Sequence, residues 1–457
     1  MKKRMVALLT AVCMTGSAVG TGTLMCKAEG NSEKKVVTFY MWADGAEQEF
    51  DRAMVAQYEK EHPDVDIEEN YIPYAEYLSK MNTMAAANSL PDIFNLPEGN
   101  VFEWGEKGAI LDLAPLYEAA GINPSDVAIE PTIFSSDGHI WTVSYNCTTM
   151  LLYYNKELLR ESGIEFPSLD ASDPWTWEEF VNAAKKMTKD RKGNSPDDTD
   201  FDPDDIVVYG TMMPTDWARF IALLHTNGTG VLNEDGTEFG IGQEAGIEVI
   251  QSIADLGNKI HCAPSKAMAA GAFSDEPTML MNGQVAMVIG GGWSLSDYTS
   301  EGFDVGVATI PAFRQAANIS WATGLCMSPE AADRAEVFEF YQYFTNYNNS
   351  IQTAIDHDDV SLGGFPHTLA VFDGGENEEK WISTYSRLDA TDICTAIKSI
   401  LQADTTVLGD NVRVKNFPTI MDNMVVPALD NVWLNEMTAE EALTPLDLSD
   451  VIEGYWK

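Results

Sequence analysis

Apolar residues in this chain switch between two rhythms. Short unbroken or alternating runs give way to stretches in which apolar residues recur every three or four positions, the spacings of strands and helices respectively. Between Val36 and Pro97 the switching predicts strand, helix, strand, helix, strand. Phe50, Ala53, Met54 and Tyr58 form one helical stripe, which Pro63 cannot extend. Val65-Asp66-Ile67-Glu68 alternates as a strand does, Tyr77, Leu78, Met81 and Ala85 form the next stripe, and Ile93–Leu96 reads as the third strand. Strands separated by helices of this length imply parallel pairing through right-handed crossovers. In such sheets ligands sit at the carboxyl ends of strands, which points to Trp42-Ala43-Asp44 and to Leu96-Pro97-Glu98-Gly99.

Further along, His139–Val143 and Met150–Tyr154 read as strands. Thr176-Trp177-Glu178-Glu179 and Thr438-Ala439-Glu440-Glu441 have the form of capping boxes and predict helix starts. Val207–Gly210 reads as a strand, and Asp216-Trp217 opens the apolar helix behind it. Met279–Gly292 predicts a helix end, a strand and a tight turn at Gly290-Gly291-Gly292, immediately before Trp293. Val305–Pro311 predicts a strand, and Glu330–Tyr347 a single helix burying Val337, Phe340, Tyr341 and Phe344.

Ahead of this region lies a different pattern. Lys2, Lys3 and Arg4 precede an apolar run from Met5 to Val12 and small residues from Thr15 to Thr23. The run is well short of the roughly 20 residues that a membrane span needs, so residues 1–28 read as a secretion signal. Cys26 offers a lipid tether to the cell membrane, although Leu24-Met25 departs from the small residue that a lipoprotein signal places there. The chain has 28 Lys+Arg against 71 Asp+Glu, a formal charge of −43. Such a field repels nucleic acid and anionic lipid. Of six cysteines, Cys147, Cys262, Cys326 and Cys394 lie beyond the signal, without C-x-x-C spacing, and read as buried free thiols rather than zinc ligands. Nucleophile-elbow, zincin and phosphate-loop motifs are missing, so the sequence nominates no catalytic residue and no cofactor. The polar stretch 190–205 gathers Asp197, Asp198, Asp200 and Asp202, hard-oxygen donors of the kind calcium takes, but without the glycine and terminal glutamate of an EF-hand. A solvated acidic loop is the plainer reading.

The ordered set VVTFYMWAD, AANSLPDIF, DGHIWTVSYNCTTMLLYYNKELLRESGI, PWTWEEF, MLMNGQVAMVIGGGWSLSDY, VGVATIPAF, WATGLCMSPEAADRAEVFEFYQYFTN and NFPTIMDNM resembles the extracellular solute-binding proteins of ABC importers, in the sugar-binding (family 1) branch that includes maltose-binding protein. The resemblance implies an α/β, two-lobed periplasmic-binding-protein (Venus flytrap) fold with a central mixed, mostly parallel sheet in each lobe. It places lobe 1 at 36–145 plus 320–360 and lobe 2 at 146–318 plus 361–457. Crossings fall near Val143–Asn146 and Pro311–Trp321, with ligand held between the lobes. It further implies a monomer that hands an oligosaccharide to the membrane subunits of an ABC permease.

Sugar chemistry fits the same loops. A pyranose has an apolar C–H face for aromatic stacking and a hydroxyl rim for carboxylates and amides. Eleven Trp and sixteen Tyr exceed what a core requires. Trp42, Asp44, Glu98, Trp104, Asn146, Asp216, Trp217, Trp293, Trp321 and Phe365 are the candidate ligand contacts, while Trp141 and Trp175 belong to the core. An amine such as a polyamine is the alternative ligand, because aromatic boxes with carboxylates also hold cations. A secreted glycoside hydrolase would need two facing carboxylates at a set separation, which 71 acidic residues cannot single out.

Overall fold

The computed structural model describes residues 34–43, 45–298, 303–357, 362, 364–385 and 390–456. The signal segment, Cys26 and Asp44 lie outside the described residues. In chain order the strands are β1 (Lys35–Met41), β2 (Val65–Tyr71), β3 (Ile93–Leu96), β4 (Ile133–Ser136), β5 (His139–Val143), β6 (Thr148–Asn155) and β7 (Lys189–Asp190). They continue with β8 (Ile206–Thr211), β9 (Val285–Gly291), β10 (Val305–Ala308), β11 (Asn318–Trp321), β12 (Gly324–Met327) and β13 (Thr406–Leu408).

The first sheet runs β12-β3-β1-β2. β1 is parallel to both β2 and β3, as the strand–helix alternation requires, and β12 adds an antiparallel edge. The helix Gly45–Glu61 lays Phe50, Met54 and Tyr58 on this sheet, and the helix Tyr74–Ala86 lays Tyr77 and Met81 on its other face. The second sheet runs β13-β11-β6-β9-β8-β7, with β10 also beside β6. Only β11–β13 and β8–β9 are parallel there, and β6 is antiparallel to each of β9, β10 and β11. The mostly parallel expectation thus holds for the first sheet and not for the second. β6 enters the second lobe from the crossing and runs against all its neighbours, an arrangement that apolar periodicity does not report.

Both capping boxes form. Thr176 and Thr438 each accept from the backbone N–H three residues on, and Glu179 and Glu441 reach back to the cap. The single helix expected over Glu330–Tyr347 is broken instead into a short turn at Pro329–Ala331 and helices Ala335–Phe344 and Tyr347–Asp356. Arg334, extended at φ −106°, forms ion pairs with Asp92 and Glu336, and Asn346 caps the last helix through Asn348 N–H. The glycine turn also shifts. β9 runs through Gly290 and Gly291, and only Gly292 begins the turn. All four described cysteines are buried free thiols.

Three chain segments meet where the lobes join. Residues 144–147 lead from β5 to β6 and residues 322–323 from β11 to β12. The second passage falls just beyond the expected Pro311–Trp321, because Ser320 and Trp321 stay in register with Thr149 and Thr148 of β6. Ser144 Oγ lies 2.7 Å from both Asn146 O and Thr323 O, within donating distance of either, and so ties the two passages together. Cys147 and Phe365 exchange backbone hydrogen bonds of 3.2 and 2.7 Å, adding the third segment.

One buried carboxyl in the first lobe has an oxygen without a hydrogen-bond partner. Asp51 is buried and its Oδ2 has no hydrogen-bond partner. Burial, reinforced by Glu47 and Glu69, pushes this carboxyl well above its ordinary range. An acid with a raised folded-state pKa loses stability as pH rises above about 4, the unfolded value. Asp51→Asn is therefore expected to stabilise the protein by roughly 1–2 kcal/mol at neutral pH and to change little below about pH 4. Thermal melts at both pH values check this, and an equal gain at both would contradict it.

Candidate functional site

Between the two sheets lies a cavity of about 470 Å³ lined by Trp42, Glu47, Glu98, Asn146, Cys147, Thr148, Asp216, Trp217, Ala218, Trp293, Trp321, Ala322 and Thr323. Its floor is the pair of crossing segments. One wall comes from the first lobe and the other from the second. Each wall residue follows from a local feature. Trp42 directly follows β1, and its N–H donates to Asn95 Oδ1 at 3.1 Å. Tyr74 and Tyr77 meet its ring edge-on at 5.5 and 5.2 Å. Glu98 opens the helix Glu98–Glu106, which Pro97 starts immediately after β3. Asp216 caps the helix Trp217–Thr226, accepting from Arg219 N–H, so Trp217 is carried at the first helical position beside the cavity.

Trp293 stands in the turn after β9, 51% exposed. It meets the buried Trp321 ring at 5.5 Å and 71°. Glycine makes that packing possible. A Cβ at Gly291 would lie 2.2 Å from the Trp293 ring, and one at Gly292 would lie 2.3 Å from Phe365.

Hydrogen bonds and charge set the electrostatics. Glu98 is half-buried, and burial is the main reason its carboxyl is held above the ordinary range. Its own backbone N–H and the Asn411 amide pull in the other direction. Asp216 pairs with Arg219 at 2.8 Å. Arg219 also grips Glu276 through two bonds of 2.8 and 2.7 Å. Burial alone would lower the Arg219 pKa, but the charges of Asp216 and Glu276 hold it above the usual value. The lining residues include three carboxylates, Glu47, Glu98 and Asp216, and among the described residues no lysine, arginine or histidine.

Seven of the sequence-nominated residues meet at this cavity: Trp42, Glu98, Asn146, Asp216, Trp217, Trp293 and Trp321. Two do not. Trp104 is only 6% exposed and packs against Phe94 in the first-lobe core, because its position in the helix Glu98–Glu106 turns it inward. Phe365 is buried under Gly292 and supports the floor from below. Asp44 lies outside the described residues. Glu47, Thr148 and Thr323 were missed. Glu47 follows β1 by six residues and was within reach of the strand-end rule, whereas the two threonines carry no motif.

Four carboxylates of the acidic loop hold partners within the chain. Asp197 pairs with Lys185, Asp198 accepts from Ser195 N–H, Asp202 from Asp204 N–H, and Asp205 binds Arg191. Its organiser is the buried Asp190, which accepts from Lys192 N–H and Asn194 N–H at 2.8 Å each. Among the described residues no group of three or more His, Cys, Asp or Glu is placed to hold a metal.

A cleft between two α/β lobes joined by crossing segments defines a protein that binds a solute between its halves. The chain belongs to the bacterial extracellular solute-binding protein family, whose model matches residues 53–381. It is 22% identical over 334 residues to the arabinooligosaccharide-binding protein of Bacillus subtilis, covering 70% of this chain and 71% of that one. It is 23% identical over 420 residues to the sn-glycerol-3-phosphate-binding periplasmic protein UgpB of Pectobacterium atrosepticum, covering 86% and 85%. The ABC substrate-binding protein Lmo0181 of Listeria monocytogenes, solved in complex with cycloalternan, superposes with a TM-score of 0.71 at 25% identity, over 90% of this chain and 96% of that one. Among the described residues no helix is long and apolar enough to cross a membrane.

Proposed function

We propose that this protein captures a neutral oligosaccharide in the interlobe cleft and presents the closed form to an ABC permease, acting as a monomer and changing nothing covalently. Lobe 1 carries β1–β5 and β12, and lobe 2 carries β6–β11 and β13. Ligand-binding roles fall to Trp42, Glu98, Asn146, Asp216, Trp217, Trp293 and Trp321. The observation that carries the reading is the lining itself. Four indoles drawn from both lobes stand among carboxylate and amide acceptors, with no cationic side chain among the described lining residues. Indole faces stack on sugar C–H faces, and carboxylates accept from hydroxyls. A phosphate-bearing solute would meet three carboxylates and no cationic side chain among the described lining residues.

The sugar-binding relatives support this class, and their arabino- and glucooligosaccharides define the compounds to try first. Ligand that touches both lobes stabilises the closed form by its preference for that form. A thermal-shift screen of arabinotriose, maltotriose, raffinose, sn-glycerol 3-phosphate and spermidine tests the proposal. At a concentration of ~100 Kd a true ligand adds about 2.7 kcal/mol to stability, a rise of several degrees. The oligosaccharides are expected to give it. A rise with spermidine alone would replace the sugar with an amine, and turnover of a glycan would make the protein an enzyme.

A further inference from the structure

A single amide outside the cavity lining joins the two walls. Asn411 is 7% exposed. Its Nδ2 donates to Glu98 Oε1 at 2.8 Å, and its Oδ1 accepts from Trp321 Nε1 at 2.8 Å. An ionised carboxylate only accepts and an indole N–H only donates, so one orientation of the amide satisfies both. The backbone on either side is shaped for it. A Cβ at Gly409 would lie 2.7 Å from both Asn411 Oδ1 and Trp321 Nε1, and a Cβ at Gly99 would lie 2.8 Å from Asn411 O. Gly409 N–H is bonded to Ser320 O at 3.1 Å, which fixes this segment to β11.

The neighbouring residues serve other partners. Asp410 is buried, accepts from Val231 N–H at 2.8 Å and pairs with His225, in the second lobe. Val412 packs with Phe94, Leu96 and Phe102, in the first. Three successive residues thus reach one lobe, the cleft, and the other lobe.

We infer that Asn411 is the positioning residue of the binding site, holding a stacking ring from one lobe and an accepting carboxylate from the other in fixed relation without touching the solute itself. This inference rests on the reading of the cleft as an oligosaccharide site. Glu98 shares the cleft with Glu47 and Asp216, and Tyr74 of the neighbouring helix feels its charge. None of these supplies the donor that Asn411 supplies.

Asn411→Asp keeps the shape and removes the donor, so the two carboxyls must share a proton to remain in contact. With whichever of arabinotriose, maltotriose or raffinose shifts the parent most, N411D is expected to bind within about threefold of the parent at about pH 5. It should bind at least about tenfold more weakly at about pH 8, where both carboxyls ionise. The double variant E98Q/N411D restores one donor and one charge and should flatten that dependence. Trp321→Phe keeps the ring, loses the anchor, and should weaken binding several-fold without new pH dependence. Parent-like behaviour of N411D at both pH values overturns the inference. So does a loss equal at both, which would mark a merely structural role. Parent-like binding by W321F overturns it in the same way. Carboxyl NMR of the ligand-free proteins reads the pairing independently, because Glu98 must titrate higher in N411D. If no sugar binds the parent, the functional reading fails while this titration still decides the contact.

Discussion

Arg219→Ala is expected to cost about 3 kcal/mol of stability and to loosen the second-lobe wall of the cleft. Arg219 is largely buried and holds two carboxylates, Glu276 through a two-pronged contact and Asp216 at the cavity edge. Removing one member of a buried ion pair leaves the other charge in a poor solvent, which is why such losses reach 3–5 kcal/mol. Glu276 also accepts from Tyr298 OH at 3.3 Å, and Tyr298 stacks on Tyr153 at 4.1 Å, so the disturbance reaches the strand behind the site. Chemical denaturation measures the stability term. Arg219→Lys, which keeps the charge but not the fork, should recover only part of it. An alanine variant as stable as the parent would mean that the network contributes no net stability.

Trp293→Ala is expected to do the opposite, leaving stability nearly unchanged and weakening oligosaccharide binding by about 2 kcal/mol, roughly 30-fold. Half of Trp293 is open to solvent, so the fold loses little apolar burial with it, whereas a stacked sugar would lose its platform. Calorimetric titration beside a thermal melt separates the two quantities. Unchanged affinity would remove Trp293 from the site and with it the assignment of the second-lobe wall.

These two residues illustrate what the sequence could and could not disclose. Trp293 was legible because a strand pattern followed by glycines must expose whatever comes next at a strand end. Trp42 and Asp216 were legible for the same reason, and the Thr176 and Thr438 caps through their spacing. Arg219 was not, since its role depends on Glu276, which joins it only when the helices pack. Asn411 was hidden more deeply. It belongs to a four-residue helix with no periodicity, and both of its partners lie far away in sequence. Trp104 shows the converse error. A tryptophan eight residues beyond a strand end suggested a ligand contact, but helical geometry turned it toward Phe94. The antiparallel character of the second sheet was equally invisible, because it is decided by where β6 enters and not by which residues it contains.

The first sheet has a further implication for how the chain matures. Its edge strand β12 pairs with β3, Gly324 opposite Leu96, and every described strand between Thr148 and Trp321 belongs to the other sheet. A nascent polypeptide emerging from the ribosome therefore cannot close its leading half until the whole intervening segment has been synthesised. Contacts so remote in sequence form slowly. Until then the β3 side of the first sheet stays an open edge, with its backbone groups unpaired.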